Sequence, residues 1–91
     1  MRVLLVEDDS RIAAFVAKGL RENSYAVDIA TDGDEATYMA SINLYDLFVL
    51  DINLPVIGGW TIFDRLKHDP KTRHIPIKRL PLLQNISHGV V

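Results

Sequence analysis

Two short, uniformly apolar runs, Val3 to Val6 and Leu47 to Leu50, each stop abruptly on acids: the first on Glu7-Asp8-Asp9, the second on Asp51. Continuous apolar runs of this length, without polar alternation, suit strands covered on both faces, as in a parallel sheet. Parallel strands need crossovers, and the residues between the two runs have room for them. Asp9 or Ser10 can cap a helix whose buried face is expected from Ile12, Phe15, Val16, Gly19 and Leu20, with Asn23 as its stop. Tyr25 to Ala30 follows as a second strand, then the turn Thr31-Asp32-Gly33-Asp34, then a short helix carrying Ala36, Met39 and Ala40. Beyond Asp51, the residues Asn53, Pro55, Gly58 and Gly59 mark a loop. Trp60, Phe63 and Leu66 outline a third helix that ends before Asp69-Pro70, and Ile75-Pro76-Ile77 begins a fourth strand. Strands alternating with helices at this spacing predict an α/β fold with right-handed crossovers and helices on both faces.

Composition narrows the class. Ninety-one residues, 48% of them apolar, suffice for one core and one domain. Without cysteines, neither disulfides nor a thiolate metal centre is available. No apolar stretch approaches the roughly 18 to 20 residues of a membrane span, and three acids interrupt the N-terminal run where a signal peptide would continue. A cytoplasmic location without membrane contact is therefore expected. The net charge of −2 hides a split, since all six bases of the C-terminal third lie between Arg65 and Arg79. No aromatic residue is interleaved among them for stacking on bases, so a solvated face is expected rather than direct nucleic-acid binding. His68, His74 and His88 lack partners at ligand spacing and are expected on the surface.

In an open parallel sheet, ligands sit beyond the carboxyl ends of the strands, where strand order reverses. If the first and third strands are neighbours, about 5 Å apart, Glu7, Asp8 and Asp51 crowd one small region. Carboxylates held that close repel unless a cation joins them, and a hard divalent ion prefers oxygen donors. Mg2+, or Mn2+ in its place, is the expected occupant, held by Glu7, Asp8, Asp51 and the backbone carbonyl of Asn53. A carboxylate is already ionised at neutral pH and can attack phosphorus without a general base, which makes Asp51 the expected acceptor of a phosphoryl group. Asp9 is expected to serve as a helix cap.

Val3-Leu4-Leu5-Val6-Glu7-Asp8-Asp9, then Tyr45-Asp46-Leu47-Phe48-Val49-Leu50-Asp51, then Leu54-Pro55 and Gly59, together resemble the receiver domain of two-component response regulators, especially the transcription-factor branch. The resemblance covers Met1 to about Ile77. It implies a flavodoxin-like, doubly wound parallel sheet with strand order 2-1-3-4-5, phosphorylation of Asp51 by a sensor histidine kinase, and Mg2+ dependence. It also implies a phosphoacceptor rather than an enzyme, capable at most of autocatalytic phosphotransfer and dephosphorylation.

The family places a Ser or Thr after its fourth strand and a Lys after its fifth. Here Pro81 occupies the hydroxyl position, and Lys78-Arg79 stand where two apolar core residues belong. Unpaired charges facing a core cost several kcal/mol, roughly, so burial beyond Ile77 is not expected. The division is thus a receiver-like domain over residues 1–77 and an atypical tail over 78–91, an incomplete fold lacking the family's last helix, strand and helix. Apolar residues of the tail and an open sheet edge suggest a homo-oligomer. The competing function is a receiver-derived protein-protein binding module that no longer switches by phosphorylation. Haloacid-dehalogenase chemistry needs an acid at position 53, which is Asn, and a nucleotide site needs a glycine-rich turn where Glu7-Asp8-Asp9 stands.

Overall fold

The computed structural model describes residues 1–50 and 59–79, with side chains described at 1–50 and 61–79. Seven elements alternate: β1 (Arg2–Val6), α1 (Ser10–Glu22), β2 (Ala26–Ala30), α2 (Gly33–Ile42), β3 (Leu47–Leu50), α3 (Gly59–His68) and β4 (Ile77–Arg79). All strand pairs are parallel and the order is β2-β1-β3-β4. The chain steps from β1 to β2 on one side and then crosses to β3 on the other, so strand order reverses between β1 and β3, as in the doubly wound class.

Two cores lie on opposite faces of the sheet. Leu4, Val6, Phe48 and Leu50 point to the side of α2 and α3 and meet Ala36, Ala40, Ile62 and Leu66. Val3, Leu5, Val27 and Val49 point to the side of α1 and meet Ala13 and Ala17. Val3 to Val6 are completely buried, as a central parallel strand requires.

Local chemistry sets the element ends. Asp9 caps α1, its Oδ1 accepting from the N–H groups of Arg11 (2.9 Å) and Ile12 (3.2 Å). Asn23 closes that helix, with its side-chain amide donating to the Gly19 carbonyl at 2.9 Å, and Ser24 takes a positive φ of 71° to turn into β2. At α2 the Asp32 carboxylate accepts from Glu35 N–H, while Glu35 Oε1 accepts from Thr31 N–H, a close relative of the capping box. Between α3 and β4, Thr72 Oγ1 donates to the Leu66 carbonyl and Lys67 Nζ reaches the carbonyls of Arg73 and Ile75.

Three expectations change. Ile12, Phe15 and Gly19 do not form the buried face of α1: the helix is rotated so that Ala13 and Ala17 meet the sheet, with Val16 and Leu20 half-buried beside them. Small residues let the helix sit close to β1 and β2, and that leaves the larger Phe15 outside. The second strand starts at Ala26 rather than Tyr25. The fourth starts at Ile77, because Ile75 is a buried loop residue and Pro76 can donate nothing to a ladder; it is instead the Pro76 carbonyl that accepts from Phe48 N–H. Lys78 and Arg79 extend this strand with both side chains exposed, in agreement with the charge argument. The tail residues 80–91 lie outside the described residues.

Candidate functional site

The ladder between β1 and β3 decides where the acids fall. Val3 to Val6 pair in register with Leu47 to Leu50, so Val6 and Leu50 end their strands side by side. Adjacent strands lie about 4.8 Å apart. Glu7 follows Val6 directly, and Asp51 follows Leu50 in the chain; Asp51 and Asn53 themselves lie outside the described residues.

The acidic triplet divides into three roles. Glu7 is only 2% exposed, and its Oε1 accepts the Asp9 N–H at 3.0 Å, while its own N–H donates to the Ala30 carbonyl. These bonds tie the β1 end to β2 and fix the turn. Asp9 is spent on capping α1. Asp8 is exposed, and among the described residues its carboxylate has no hydrogen-bond or ion-pair partner. A short β-to-α turn thus holds one acid in the interior and presents another to solvent, at the switch point of the sheet.

Carboxylate oxygens of this kind suit Mg2+, a hard ion that takes one or two protein carboxylates and keeps several waters. Among the described residues no group of three His, Cys, Asp or Glu side chains comes together, and the third acid assigned from sequence, Asp51, is outside them. Described donors that fit are therefore Glu7 and Asp8.

The opposite end of the sheet carries a polar clasp that sequence reading missed. The Tyr45 hydroxyl donates to Asp28 Oδ2 at 2.7 Å, and Arg2 donates to the same oxygen from Nε (3.1 Å) and Nη2 (2.8 Å). The Arg2 guanidinium also lies 5.3 Å from the Tyr45 ring centre, and its backbone N–H donates to Asp46. Burial pushes the Tyr45 phenol up to about 12, with the Asp28 bond adding to it. Asp28 is held below the usual carboxylate range, first by the Tyr45 bond and then by Arg2, against the opposing effect of its burial. The clasp joins β1, β2 and the entry to β3, and so secures the register that aligns Val6 with Leu50. No spacing in the sequence signals it, since it forms only once the strand order is known.

The basic run is largely engaged in structure. Lys67 caps backbone carbonyls, Lys71 Nζ donates to the Ser41 carbonyl, and Arg65 lies 3.9 Å from Asp34. His68 and His74 are exposed, and His88 is outside the described residues. Among the described residues, no helix is long and apolar enough to cross a membrane.

Comparisons with known proteins agree with this geometry. Residues 3–80 match the family described as response regulator receiver domain. The transcriptional regulatory protein CusR of Escherichia coli (strain K12) is 38% identical over 90 residues, covering 99% of this chain and 39% of that protein. The chain therefore spans about two fifths of the length of this relative. A putative response regulator from Chloroflexus aurantiacus J-10-fl superposes with a TM-score of 0.83 at 35% identity, over 86% of this chain and 64% of that one. The chemotaxis response regulator CheY4 of Vibrio cholerae does so with a TM-score of 0.82 at 26% identity, over 98% and 78%.

Proposed function

This chain belongs to the response regulator receiver domain family, and on that footing we propose that it is a phosphoacceptor module of two-component signalling, taking a phosphoryl group on Asp51 from a sensor histidine kinase. The observation that carries the reading is the register Val6 to Leu50, which ends β1 and β3 together and sets the buried Glu7 and exposed Asp8 beside the strand end that leads into Asp51. In the transfer, a carboxylate oxygen of Asp51 forms a bond to phosphorus as the bond from phosphorus to the kinase histidine nitrogen breaks, and that nitrogen keeps the electron pair. Bound Mg2+, or Mn2+, would neutralise charge on the phosphoryl oxygens, with Glu7, Asp8, Asp51 and the Asn53 carbonyl as its protein side. Glu7 holds the turn in place through Asp9 N–H, and Asp8 offers the accessible oxygens. The chain acts as substrate and autocatalyst of one phosphoryl group rather than as a turnover enzyme. It works in the cytoplasm, without membrane or direct nucleic-acid contact by this domain.

The receiver portion is taken as residues 1–77 and the tail as 78–91. Self-association belongs to the same reading, through the tail or the open sheet edge. Of these the edge is the poorer candidate: a two-fold pairing of β4 with its copy sets the exposed Lys78 and Arg79 against like charges. The rival function, a binding module that does not switch, rests on Pro81, which stands at the family's hydroxyl position. Incubation with acetyl phosphate separates the two. A phosphoacceptor gains one phosphoryl group only when Mg2+ is present and loses that ability in Asp51→Asn, whereas a pure binding module stays unlabelled.

A further inference from the structure

Helix α1 carries an apolar face that the other described residues leave uncovered. Phe15 is 72% exposed and Ile12 40%, while Gly19, one turn beyond Phe15, has nothing within 4 Å of the position a Cβ would take. Phe15, Gly19, Glu22 and Asn23 line a shallow groove along the second half of the helix, with Gly19 as the gap between larger side chains. The helix thus bears a knob and a notch four residues apart on one face, about 6 Å along its axis.

A knob and a notch on the same face are complementary to themselves. In an isologous contact, residue i meets j while j meets i. We propose that α1 packs antiparallel against α1 of a second copy, centred near Ala17, so that Phe15 of each copy sits beside Gly19 of the other. The charges support this occupant. In an antiparallel pair centred there, Arg11 of one copy lies within about one residue's rise, 1.5 Å along the axis, of Glu22 of the other, on the same flank. Arg11 and Glu22 are both exposed, and among the described residues neither is in an ion pair. The two-fold axis forms that pair twice. Ala13 and Ala17 remain on the sheet, so the contact requires no rearrangement of the core.

One helix face buries less than the roughly 1,000 Å² expected of a stable complex, which makes this a weak dimer with a Kd on the order of 100 µM. The experiment is sedimentation equilibrium of the full 91-residue chain, with NMR line widths on dilution from about 1 mM. Concentration-dependent dimerisation is expected, weakened at least about tenfold by Phe15→Asp, which changes an exposed residue and spares the core. Gly19→Leu, which fills the notch but favours the helix, should abolish the dimer while raising Tm. Arg11→Glu should weaken it, and the double change Arg11→Glu with Glu22→Arg should restore it, an outcome that general destabilisation cannot produce. A monomer throughout this range overturns the proposal. So does a dimer indifferent to Phe15→Asp and to the charge exchange, which would place the contact on the tail or the sheet edge, and so does concentration-independent protection of Phe15, which would mean that another segment of the same chain covers it.

Discussion

Replacing Tyr45 by Phe removes one oxygen atom from the clasp beneath the sheet and leaves the ring packing intact. Tyr45 is 5% exposed, and its ring lies 5.9 Å from that of Phe48. The main interaction lost is a 2.7 Å bond to an ionised carboxylate, together with the weaker 3.3 Å bond that the hydroxyl accepts from the Asn43 side-chain amide. Bonds to charged groups contribute about 1.5–3 kcal/mol, and the Asp28 side chain is 31% exposed, so water replaces part of what is lost. The cost should therefore fall in the lower half of that range, about 1.5–2 kcal/mol. In a domain of this size that lowers Tm by roughly 6 to 16 °C. Urea unfolding followed by circular dichroism gives the free energy, and a double-mutant cycle with Asp28→Asn separates the bond from the removal of an oxygen atom. The carboxyl of Asp28, followed by NMR, should also titrate closer to an ordinary carboxylate in Tyr45→Phe. A loss below about 0.5 kcal/mol, with an unchanged Asp28 titration, would show that the clasp is decoration rather than a constraint on strand register.

Other outcomes follow from individual contacts. Because the folded state lowers the pKa of Asp28, its contribution is present above the unfolded value near 3.8 and is lost as pH falls through the folded one; the stability gap between the wild-type chain and Asp28→Asn should narrow from roughly pH 5 downward, and a gap constant into acid would contradict the assignment. Gly19→Ala adds a Cβ that meets nothing within 4 Å, so thermal unfolding should show about 0.5–1 kcal/mol of added stability from helix propensity alone. Asp9→Ala removes the acceptor for two helix N–H groups and should cost about 1 kcal/mol by urea unfolding, with amide exchange fastest at Arg11 and Ile12. Mg2+ or Mn2+ should bind weakly, and titration should show reduced affinity in Asp8→Asn and in Asp51→Asn; affinity unchanged from the wild-type chain in both variants would remove these acids from the metal site.

The parts of this fold legible in sequence are those fixed by local, one-dimensional signals. Val3 to Val6 and Leu47 to Leu50 announce buried strands because nothing polar interrupts them, and in the sequence an acid follows each run directly. Asp9 and Asn23 act where their short polar side chains predict, at the two ends of α1. The rotation of α1 was not legible: Ile12, Phe15 and Gly19 satisfy the helical period as well as Ala13, Val16, Ala17 and Leu20 do, and only the close approach of the helix to β1 and β2 selects the small residues for the interior. Nor was the clasp. Arg2, Asp28 and Tyr45 lie far apart in the chain, and only the strand order β2-β1-β3 and the register of its ladders bring them together. The start of β4 is not legible either, because an apolar Ile75 beside a proline reads as strand, whereas in space it fills the core from a loop held by Thr72 and Lys67.

Transfer from a phosphorylated sensor histidine kinase, followed by peptide mapping of the phosphoryl group, asks whether the aligned strand ends form a phosphoacceptor site. With Mg2+ present, the label should appear on Asp51, disappear in Asp51→Asn, and fall steeply in Asp8→Asn although that variant keeps its fold. Label on another residue, or transfer at the same rate without a divalent ion, would contradict the assignment of Glu7, Asp8 and Asp51 to one site.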